Sequence, residues 1–240
     1  MSMWYESWFD SPFYHQLYKD RDNVEAARFI TNLVEYLNPL DTARFLDLAC
    51  GKGRHCLQLY KLGLQVDGAD YSENSINYAS QFRNENLHFY KHDMRDALPN
   101  TYNYILNLFT SFGYFETREE HLQTLKHIHN GLEPDGIFVF DFLNLTVVKN
   151  NLVANETVLK DGVNFAINRA IVNNQITKTI SFENEGGEYV FKEKVMALSA
   201  TDLLGMMEQV GFTLKDSFGN YSLQKFDEQQ SKRLILILKK

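Results

Sequence analysis

The sequence predicts an α/β fold in which a doubly wound, mostly parallel sheet of seven strands carries an antiparallel β insertion. Short apolar runs alternate with helix-like segments from residue 44 to residue 141, and parallel strands need such crossover helices. A glycine-rich turn joins the first of these strands to the helix that follows it. The alternation stops over residues 155–198, where β-rich runs succeed one another without helices.

The first strand ends in that glycine-rich turn. Residues 44–53 read Arg-Phe-Leu-Asp-Leu-Ala-Cys-Gly-Lys-Gly, and a helix-like segment begins at Arg54. Gly51 and Gly53 allow a sharp turn and let a ligand approach the backbone without a Cβ in the way. Cys56 stands where the dinucleotide fingerprint has its third glycine, and Arg54 breaks the ending of a P-loop. The turn therefore predicts a Rossmann-like unit that cradles something smaller than a pyrophosphate.

The next two strands end in acidic residues, at the same edge of a parallel sheet. The strand predicted at 65–70 ends in Asp70, about twenty residues beyond the loop, where a doubly wound sheet places an acid against a ribose diol. The strand predicted at 87–91 is followed by Asp93 and Met94. A carboxylate can accept a hydrogen bond from an exocyclic amine while a thioether packs on the ring, so this pair suits an adenine.

Further elements complete the same plan. In chain order we expect a helix at 23–37, a strand at 102–109, a helix at 117–130, a strand at 137–141, a helix at 201–210 and strands at 212–218 and 234–239. Gly131 suits the end of the helix at 117–130. His121, His127 and His129 fall on that helix, where we expect them to be solvated.

Residues 155–198 predict an antiparallel insertion of about four strands. Three turn signals, Asp161-Gly162, Asn173-Asn174 and Gly186-Gly187, separate its β-rich runs. Apolar residues alternate within these runs, so the insertion presents an apolar surface that must be covered. The parent domain, the substrate or a second subunit in a homodimer could supply the cover.

Composition sets limits on the class of protein. The chain has 240 residues, 44% of them hydrophobic and 23% charged, which is enough for a domain with a sizeable core. Its formal charge of −7 argues against a nucleic-acid partner. The two cysteines form no disulfide framework and the histidines no metal spacing. Because no apolar run could span a membrane and the N-terminus does not resemble a secretory signal, we expect a cytoplasmic protein without a metal.

Taken together, these motifs resemble those of class I S-adenosylmethionine-dependent methyltransferases. The resemblance rests on Asp47-Leu-Ala-Cys-Gly-Lys-Gly53, Asp70-Tyr-Ser72 and Asp93-Met94, and it covers residues 40–145 and 200–240. It implies that S-adenosyl-L-methionine is the cofactor and that residues 1–240 form a single methyltransferase domain. The cofactor-binding residues that it implies are Asp47, Ala49, Gly51, Gly53, Asp70, Tyr71, Asp93, Met94 and Leu108.

Residues 108–114, Leu-Phe-Thr-Ser-Phe-Gly-Tyr, are similar to the exit of the fourth strand in small-molecule members such as amino-sugar N,N-dimethyltransferases. In those members a histidine near the acceptor amine stands at the position of Tyr114, so the tyrosine departs from the pattern. We expect Tyr114, Phe112 and Asn144 to line a pocket for a small-molecule acceptor at the ligand-binding edge of the sheet. Tyr114 and Asn144 are the candidate catalytic residues.

Aromatic residues crowd the N-terminal segment, residues 1–40, which we expect to form a lid and a first helix. They are Trp4, Tyr5, Trp8, Phe9, Phe13, Tyr14 and Tyr18. Such residues either pack as a strap or fold over a bound cofactor. In related methyltransferases a tyrosine and an arginine from this segment reach the methionine carboxylate, and the resemblance carries that role to Tyr14, Tyr18 and Arg21. A guanidinium group pairs bidentately with a carboxylate.

The function implied is transfer of a methyl group from S-adenosylmethionine to a nitrogen or oxygen atom of a small-molecule acceptor, by direct in-line displacement. The alternative is a non-catalytic S-adenosylmethionine-binding sensor or partner subunit. Such a protein would keep Asp47, Asp70 and Asp93 but would have a plugged acceptor pocket. A nicotinamide oxidoreductase is disfavoured because the third glycine of the fingerprint is missing.

Overall fold

The structure, a computed structural model, describes residues 4–19 and 23–240. Its helices are α1 (Trp4–Phe9), α2 (Pro12–Leu17), α3 (Asn23–Leu37), α4 (Arg54–Lys61), α5 (Glu73–Ala79), α6 (Arg118–Asn130), α7 (Leu145–Asn150) and α8 (Ala200–Gln209). Its strands are β1 (Arg44–Leu48), β2 (Gln65–Asp70), β3 (Leu87–Lys91), β4 (Tyr102–Asn107), β5 (Leu132–Leu143), β6 (Asn155–Lys160), β7 (Val163–Val172), β8 (Gln175–Asn184), β9 (Gly187–Met196), β10 (Thr213–Phe218) and β11 (Arg233–Lys239).

Seven strands form the main sheet, in the order β10-β11-β5-β4-β1-β2-β3. The strands from β5 to β3 run parallel, whereas β11 is antiparallel to both β5 and β10. The chain moves from β1 outward to β2 and β3, and then from β4 outward on the other side. Loops that leave β1 and β4 in opposite directions open a crevice at the carboxyl edge. The predicted doubly wound, mostly parallel sheet is confirmed.

Helices cover both faces of this sheet, and each face has its own apolar core. On one face α3, α4 and α5 contribute side chains such as Phe29, Leu59 and Ile76. On the other face α6 and α8 contribute Leu125 and Met207, which pack with the phenylalanines of β5. None of the helices in the described part of the chain is long and apolar enough to cross a membrane.

The predicted bounds differ from the observed ones mainly at β4 and β5. β4 ends at Asn107 instead of residue 109, because Phe109 and Thr110 have left-handed backbone conformations, with φ of 58° and 62°. β5 begins at Leu132 instead of residue 137, because the turn predicted at 134–136 lies inside the strand. It interrupts the register between β4 and β5 without ending their pairing.

The histidines of α6 are only partly as predicted, since His121 is fully buried. Its ring packs edge-on against Phe112 with centroids 4.8 Å apart, and its Nδ1 lies 2.7 Å from the carbonyl oxygen of Thr117. The prediction of a solvated His121 is therefore wrong, because α6 turns this residue toward the core. Burial lowers the pKa of His121, which favours the neutral imidazole.

The insertion forms a second, antiparallel sheet in the order β6-β7-β8-β9. Its three turns are pairs of residues with left-handed φ, at 161–162, 173–174 and 185–186. Such pairs are typical of the two-residue hairpin turns that match the twist of the strands. The third turn lies one residue earlier than the predicted Gly186-Gly187, because Gly187 is already the first residue of β9.

The N-terminal helices cover the apolar face of the insertion. Trp8 of α1 lies against Phe191, with ring centroids 4.6 Å apart, and Phe13 of α2 lies 4.7 Å from Phe182. These aromatic residues form one buried cluster with Leu17 and side chains of β7 and β8. The chain itself therefore supplies the cover that the sequence left open, and the homodimer stays a prediction.

Candidate active site

A cavity of about 740 Å³ opens at the carboxyl edge of the parallel strands, and its volume lies in the range of small-molecule sites. The loops after β1, β2, β3 and β4 line it, together with residues of α1, α2 and β9. The predicted site residues that line it are Ala49, Gly51, Asp70, Tyr71, Asp93, Met94, Leu108, Tyr14, Tyr18 and Tyr114. Asp47, Gly53 and Asn144 are not among its lining residues, and Arg21 lies outside the described residues.

The glycine loop presents its backbone to the cavity. Ala49 and Gly51 have left-handed φ values of 68° and 54°, which turn the chain away from β1. A Cβ on Gly51 would meet no atom within 4 Å, so this side of the loop is open. A Cβ on Gly53 would lie 2.7 Å from the ring of Phe89. Gly53 is therefore required for packing at the start of α4, and its contact with the cofactor stays a prediction.

Asp70 lies at the end of β2, and the glycine loop fixes its carboxylate. Oδ2 accepts a hydrogen bond from the N–H of Gly51 and Oδ1 accepts one from the N–H of Ser72, both at 2.8 Å. An ionised carboxylate has about four lone-pair sites, so each oxygen can accept one further donor, such as a ribose hydroxyl. Burial raises the pKa of Asp70 to about 6. Two hydroxyl donors would favour the ionised form again.

Asp93 and Met94 line the cavity after β3. Arg95 holds the Asp93 carboxylate, with its Nε 3.1 Å and 3.2 Å from the two oxygens and its Nη2 2.7 Å from Oδ2. Burial alone would raise the pKa of Asp93, but the hydrogen bonds and charge of Arg95 bring it below its ordinary value. The motif Asp93-Met94 does not mark Arg95 as the partner of the carboxylate.

Asp47 lies beneath the glycine loop and is only 1% exposed. Its Oδ2 lies 3.5 Å from the Sγ of Cys56 and 3.5 Å from the Nδ1 of His55. Burial raises the pKa of Cys56 well above its ordinary value, so the thiol keeps the proton that it shares with Asp47. In place of the predicted cofactor contact, Asp47 therefore supports the loop from below. Within residues 4–19 and 23–240, no three His, Cys, Asp or Glu side chains are placed to hold a metal ion.

The exit of β4 contains the two left-handed residues Phe109 and Thr110, a conformation that is unfavourable for side chains with a Cβ. The buried Asp141 of β5 offsets this cost. Its Oδ2 accepts a hydrogen bond from the N–H of Phe109 at 2.8 Å, and its carbonyl accepts one from the N–H of Thr110 at 3.0 Å. Arg233 of β11 donates to Asp141 Oδ1 at 2.7 Å and to the Thr110 hydroxyl at 2.9 Å.

Tyr114 follows this turn and lines the cavity as predicted. Its hydroxyl donates to the carbonyl oxygen of Thr110 at 2.6 Å. The preceding Gly113 has a φ of 92°, and a Cβ there would lie 3.0 Å from Val195 of β9. The N–H of Met196 donates to the carbonyl oxygen of Gly113 at 2.8 Å. The end of β9 is thus docked on the segment that carries Tyr114.

Two residues that we predicted for the acceptor pocket do not reach the cavity. Asn144 caps α7, with its Oδ1 accepting from the N–H of Thr146 at 3.1 Å. Its Nδ2 donates to the carbonyl oxygens of Glu228 and Ser231, each at 2.8 Å. An amide whose two ends are committed to the backbone has a structural role, so a catalytic role for Asn144 is withdrawn. Phe112 is buried beneath the turn and does not line the cavity either.

Residues of α3, α4 and α5 also line the cavity, and a further wall is formed by β9 and the N-terminal segment with α1 and α2. Tyr14 and Tyr18 line it, and their contact with the methionine carboxylate of a cofactor stays a prediction. Glu193 of β9 lines it as well, and its Oε1 accepts hydrogen bonds from Trp8 Nε1 and the Tyr18 hydroxyl, both at 2.7 Å. Several charged residues follow one another in β9, and only the packing of the strand reveals that Glu193 faces the cavity.

A doubly wound sheet with fixed acids after two adjacent strands defines a protein that binds a nucleoside-containing cofactor at this edge. The model of the methyltransferase domain family matches residues 40–211, which is more than half of the chain. The chain belongs to the methyltransferase domain family, and S-adenosyl-L-methionine is the cofactor that this family uses. The resemblance noted from the sequence is confirmed.

Relatives and solved structures agree with this assignment. The chain is 29% identical over 124 residues to the dTDP-3-amino-3,4,6-trideoxy-alpha-D-glucopyranose N,N-dimethyltransferase of Streptomyces venezuelae, covering 51% of this chain and 52% of that protein. It is 22% identical over 195 residues to the glycine/sarcosine N-methyltransferase of Halorhodospira halochloris, covering 78% and 72%. The chain spans 41% to 52% of the length of three curated relatives that it matches.

A crystal structure of an S-adenosylmethionine-dependent methyltransferase from Clostridium acetobutylicum has the same fold. It superposes with a TM-score of 0.78 and 20% identity, over 95% of this chain and 96% of that chain. The likeness therefore extends beyond the cofactor end to most of both proteins, which supports the fold described above.

Proposed function

We propose that the chain is an S-adenosylmethionine-dependent methyltransferase that methylates a nitrogen atom of a small-molecule acceptor. The observation that carries the proposal is the continuous cavity between the end with Asp70 and Asp93 and the wall with Tyr114 and Glu193. A cofactor at the first end would share this cavity with an acceptor at the second. Nitrogen is favoured over oxygen because the Streptomyces and Halorhodospira relatives are both named as N-methyltransferases.

The residues around the cavity fit an adenosine-containing cofactor. Asp70 would hold the ribose, Asp93 and Met94 the adenine, and the open side of Gly51 would lie against the methionine portion. Such a cofactor supplies a sulfonium-activated methyl group, so no covalent nucleophile is needed from the protein. This agrees with Cys50, which lines the cavity as an unreactive thiol because burial raises its pKa to about 11.

The protein's own contribution would then be to align the acceptor and to exclude water. Tyr114 suits alignment better than proton abstraction, because its hydroxyl proton is directed at the carbonyl oxygen of Thr110. Its oxygen can still accept a hydrogen bond from an acceptor N–H. Phe9, Phe115 and Val195 line the same cavity with apolar surface that would keep water out.

The non-catalytic alternative requires a plugged acceptor pocket. The cavity instead continues beyond the cofactor residues to Tyr114, which favours an enzyme. The proposed acceptor is a small molecule because the side chains around Tyr114 and Glu193 enclose a limited volume. The amino sugar in the name of the Streptomyces relative is an example of such an acceptor.

Methyl transfer to a panel of matched amines and alcohols tests the proposal. The panel would pair amino sugars with the corresponding sugars, and glycine and sarcosine with glycolate, and mass spectrometry would detect the added methyl group. We expect transfer to at least one amine and none to its alcohol. A protein that binds S-adenosylhomocysteine but methylates no member of the panel would contradict the proposal and favour the sensor.

A further inference from the structure

We propose that Glu193 is the residue that recognises the acceptor, by accepting a hydrogen bond from its amino group. The inference rests on the proposed function, since it concerns the second end of the same cavity. Glu193 belongs to β9 of the insertion, whereas the cofactor end is formed by the loops of the main sheet. Val195, two residues later on the same side of β9, also lines the cavity.

The hydrogen bonds to Glu193 leave one carboxylate oxygen available. Trp8 Nε1 and the Tyr18 hydroxyl both donate to Oε1 at 2.7 Å and so fix the plane of the carboxylate. Lys178 Nζ lies 3.9 Å from Oε2, which is beyond hydrogen-bond distance. Among residues 4–19 and 23–240, every hydrogen bond to this carboxylate ends on Oε1, so Oε2 can accept one from a ligand.

The position of Glu193 relative to Tyr114 suits an acceptor between them. Met196 is bonded to Gly113, the neighbour of Tyr114, and Glu193 precedes Met196 by three residues. Three residues of a strand span about 10 Å. Tyr114 and Glu193 both line the cavity, so the end of β9 brings the two polar side chains to one wall, where an acceptor could contact both.

The surroundings of Glu193 make it a site for a donor with a positive or strongly polar N–H. Its side chain is only 19% exposed, so it has little water to replace when a ligand binds. A hydrogen bond to an ionised acceptor in such a place is stronger than a neutral one. Lys178 also contacts the Tyr18 hydroxyl, and its ammonium group forms a long ion pair with Glu193 that balances part of the negative charge.

Glu193 could alternatively serve only to anchor the N-terminal helices through Trp8 and Tyr18. A glutamine at this position would still accept both hydrogen bonds, but it would lack the charge that favours an amine. Glu193→Gln therefore separates recognition from anchoring. Glu188→Gln is a matched control, because Glu188 lies on the same strand and is exposed outside the cavity.

The experiment uses calorimetric titration of the protein saturated with S-adenosylhomocysteine. The probes are cyclohexylamine and cyclohexanol, which share a ring and differ in the amino group. We expect the wild type and Glu188→Gln to bind the amine about ten-fold more tightly than the alcohol or better. Glu193→Gln should lose this preference while its affinity for S-adenosylhomocysteine stays unchanged.

Three outcomes would overturn the inference. The wild type could bind the two probes equally, or Glu193→Gln could keep the preference for the amine. Glu193→Gln could also lose affinity for S-adenosylhomocysteine together with the amine, which would identify Glu193 as an anchor of the lid. Failure of the wild type to bind S-adenosylhomocysteine is a separate result, and it would contradict the proposed function itself.

Discussion

Single acidic residues in the cavity are held in place by the protein before any ligand is bound. Asp70 accepts hydrogen bonds from two backbone N–H groups, and Asp93 is held by the guanidinium group of Arg95. A ligand that meets a fixed carboxylate loses less free energy to ordering than one that meets a mobile side chain. The affinity for a cofactor should therefore depend strongly on these residues.

Asp70→Ala is expected to weaken S-adenosylhomocysteine binding by about 1.5–3 kcal/mol, because hydrogen bonds to a charged group are lost. Asp67→Ala is the control, since Asp67 lies in the same strand but bonds to Arg44 and Tyr102 outside the cavity. Calorimetric titration of both variants under conditions where they are folded makes the comparison. Equal affinities would contradict the assignment of Asp70 to the ribose.

The pH dependence of binding should follow the titration of Asp70. Burial raises its pKa to about 6 in the unbound protein, whereas hydroxyl donors would favour the ionised carboxylate and lower the pKa in the complex. Affinity for S-adenosylhomocysteine is therefore expected to fall as the pH is lowered through about 6. Asp70→Asn should remove this dependence. If the variant had the same pH profile as the wild type, the titration of Asp70 would not be its cause.

The same pKa shift has a consequence for stability. A carboxyl group whose pKa rises on folding stabilises the protein below its ordinary value of 3.8, and this contribution is lost as the pH rises through about 6. The melting temperature of Asp70→Asn relative to the wild type is therefore expected to increase between pH 4 and pH 7. Thermal unfolding without ligand measures it, and a constant difference would show that the carboxyl is not shifted by folding.

Among single residues, the sequence predicted those whose position is determined by the neighbouring segment of the chain. Asp70 and Asp93 follow strand ends, and a strand end in a parallel sheet faces the ligand edge. Asp47 and Asn144 could not be assigned in this way. Asp47 turns down toward Cys56 and Asn144 turns to Glu228 and Ser231, and such partners are fixed only by tertiary packing.

Among the elements, the exit of β4 depends on a buried ion pair between β5 and β11. Replacement of Arg233 by methionine would leave Asp141 buried with an uncompensated charge, so Arg233→Met is expected to cost about 3–5 kcal/mol of unfolding free energy. Arg118→Met is the control, because Arg118 bonds to Gln209 at the surface. Urea denaturation compares the variants, and a loss for Arg233→Met no larger than for the control would contradict this role.

Element boundaries were predictable where periodicity and turn residues mark them, as at β2 and β3. They were not predictable at the exit of β4, because no local signal marks Phe109 and Thr110 as left-handed. Their conformation depends on Asp141 and Arg233, which lie far along the chain. The predicted position of the third hairpin turn was wrong by one residue for a simpler reason, since glycine at 187 suits the start of a strand as well as a turn.

For the whole molecule, two separate parts of the chain share one cavity. The parallel sheet supplies the end at which we propose that the cofactor binds, and the insertion with the N-terminal helices supplies the wall that would meet an acceptor. The sequence located the insertion but could not show that α1 and α2 cover it, because contacts between distant segments leave no local pattern. The single domain, the homodimer and the cytoplasmic location stay predictions.

Calorimetric titration of the wild-type protein with S-adenosylhomocysteine, with NAD as the control ligand, tests the central claim most directly. Fixed acids after β2 and β3 and an open glycine loop predict one bound S-adenosylhomocysteine per chain and no binding of NAD. A ligand at a hundred times its dissociation constant should also stabilise the fold by about 2.7 kcal/mol. The absence of S-adenosylhomocysteine binding, or binding of NAD in its place, would contradict the account.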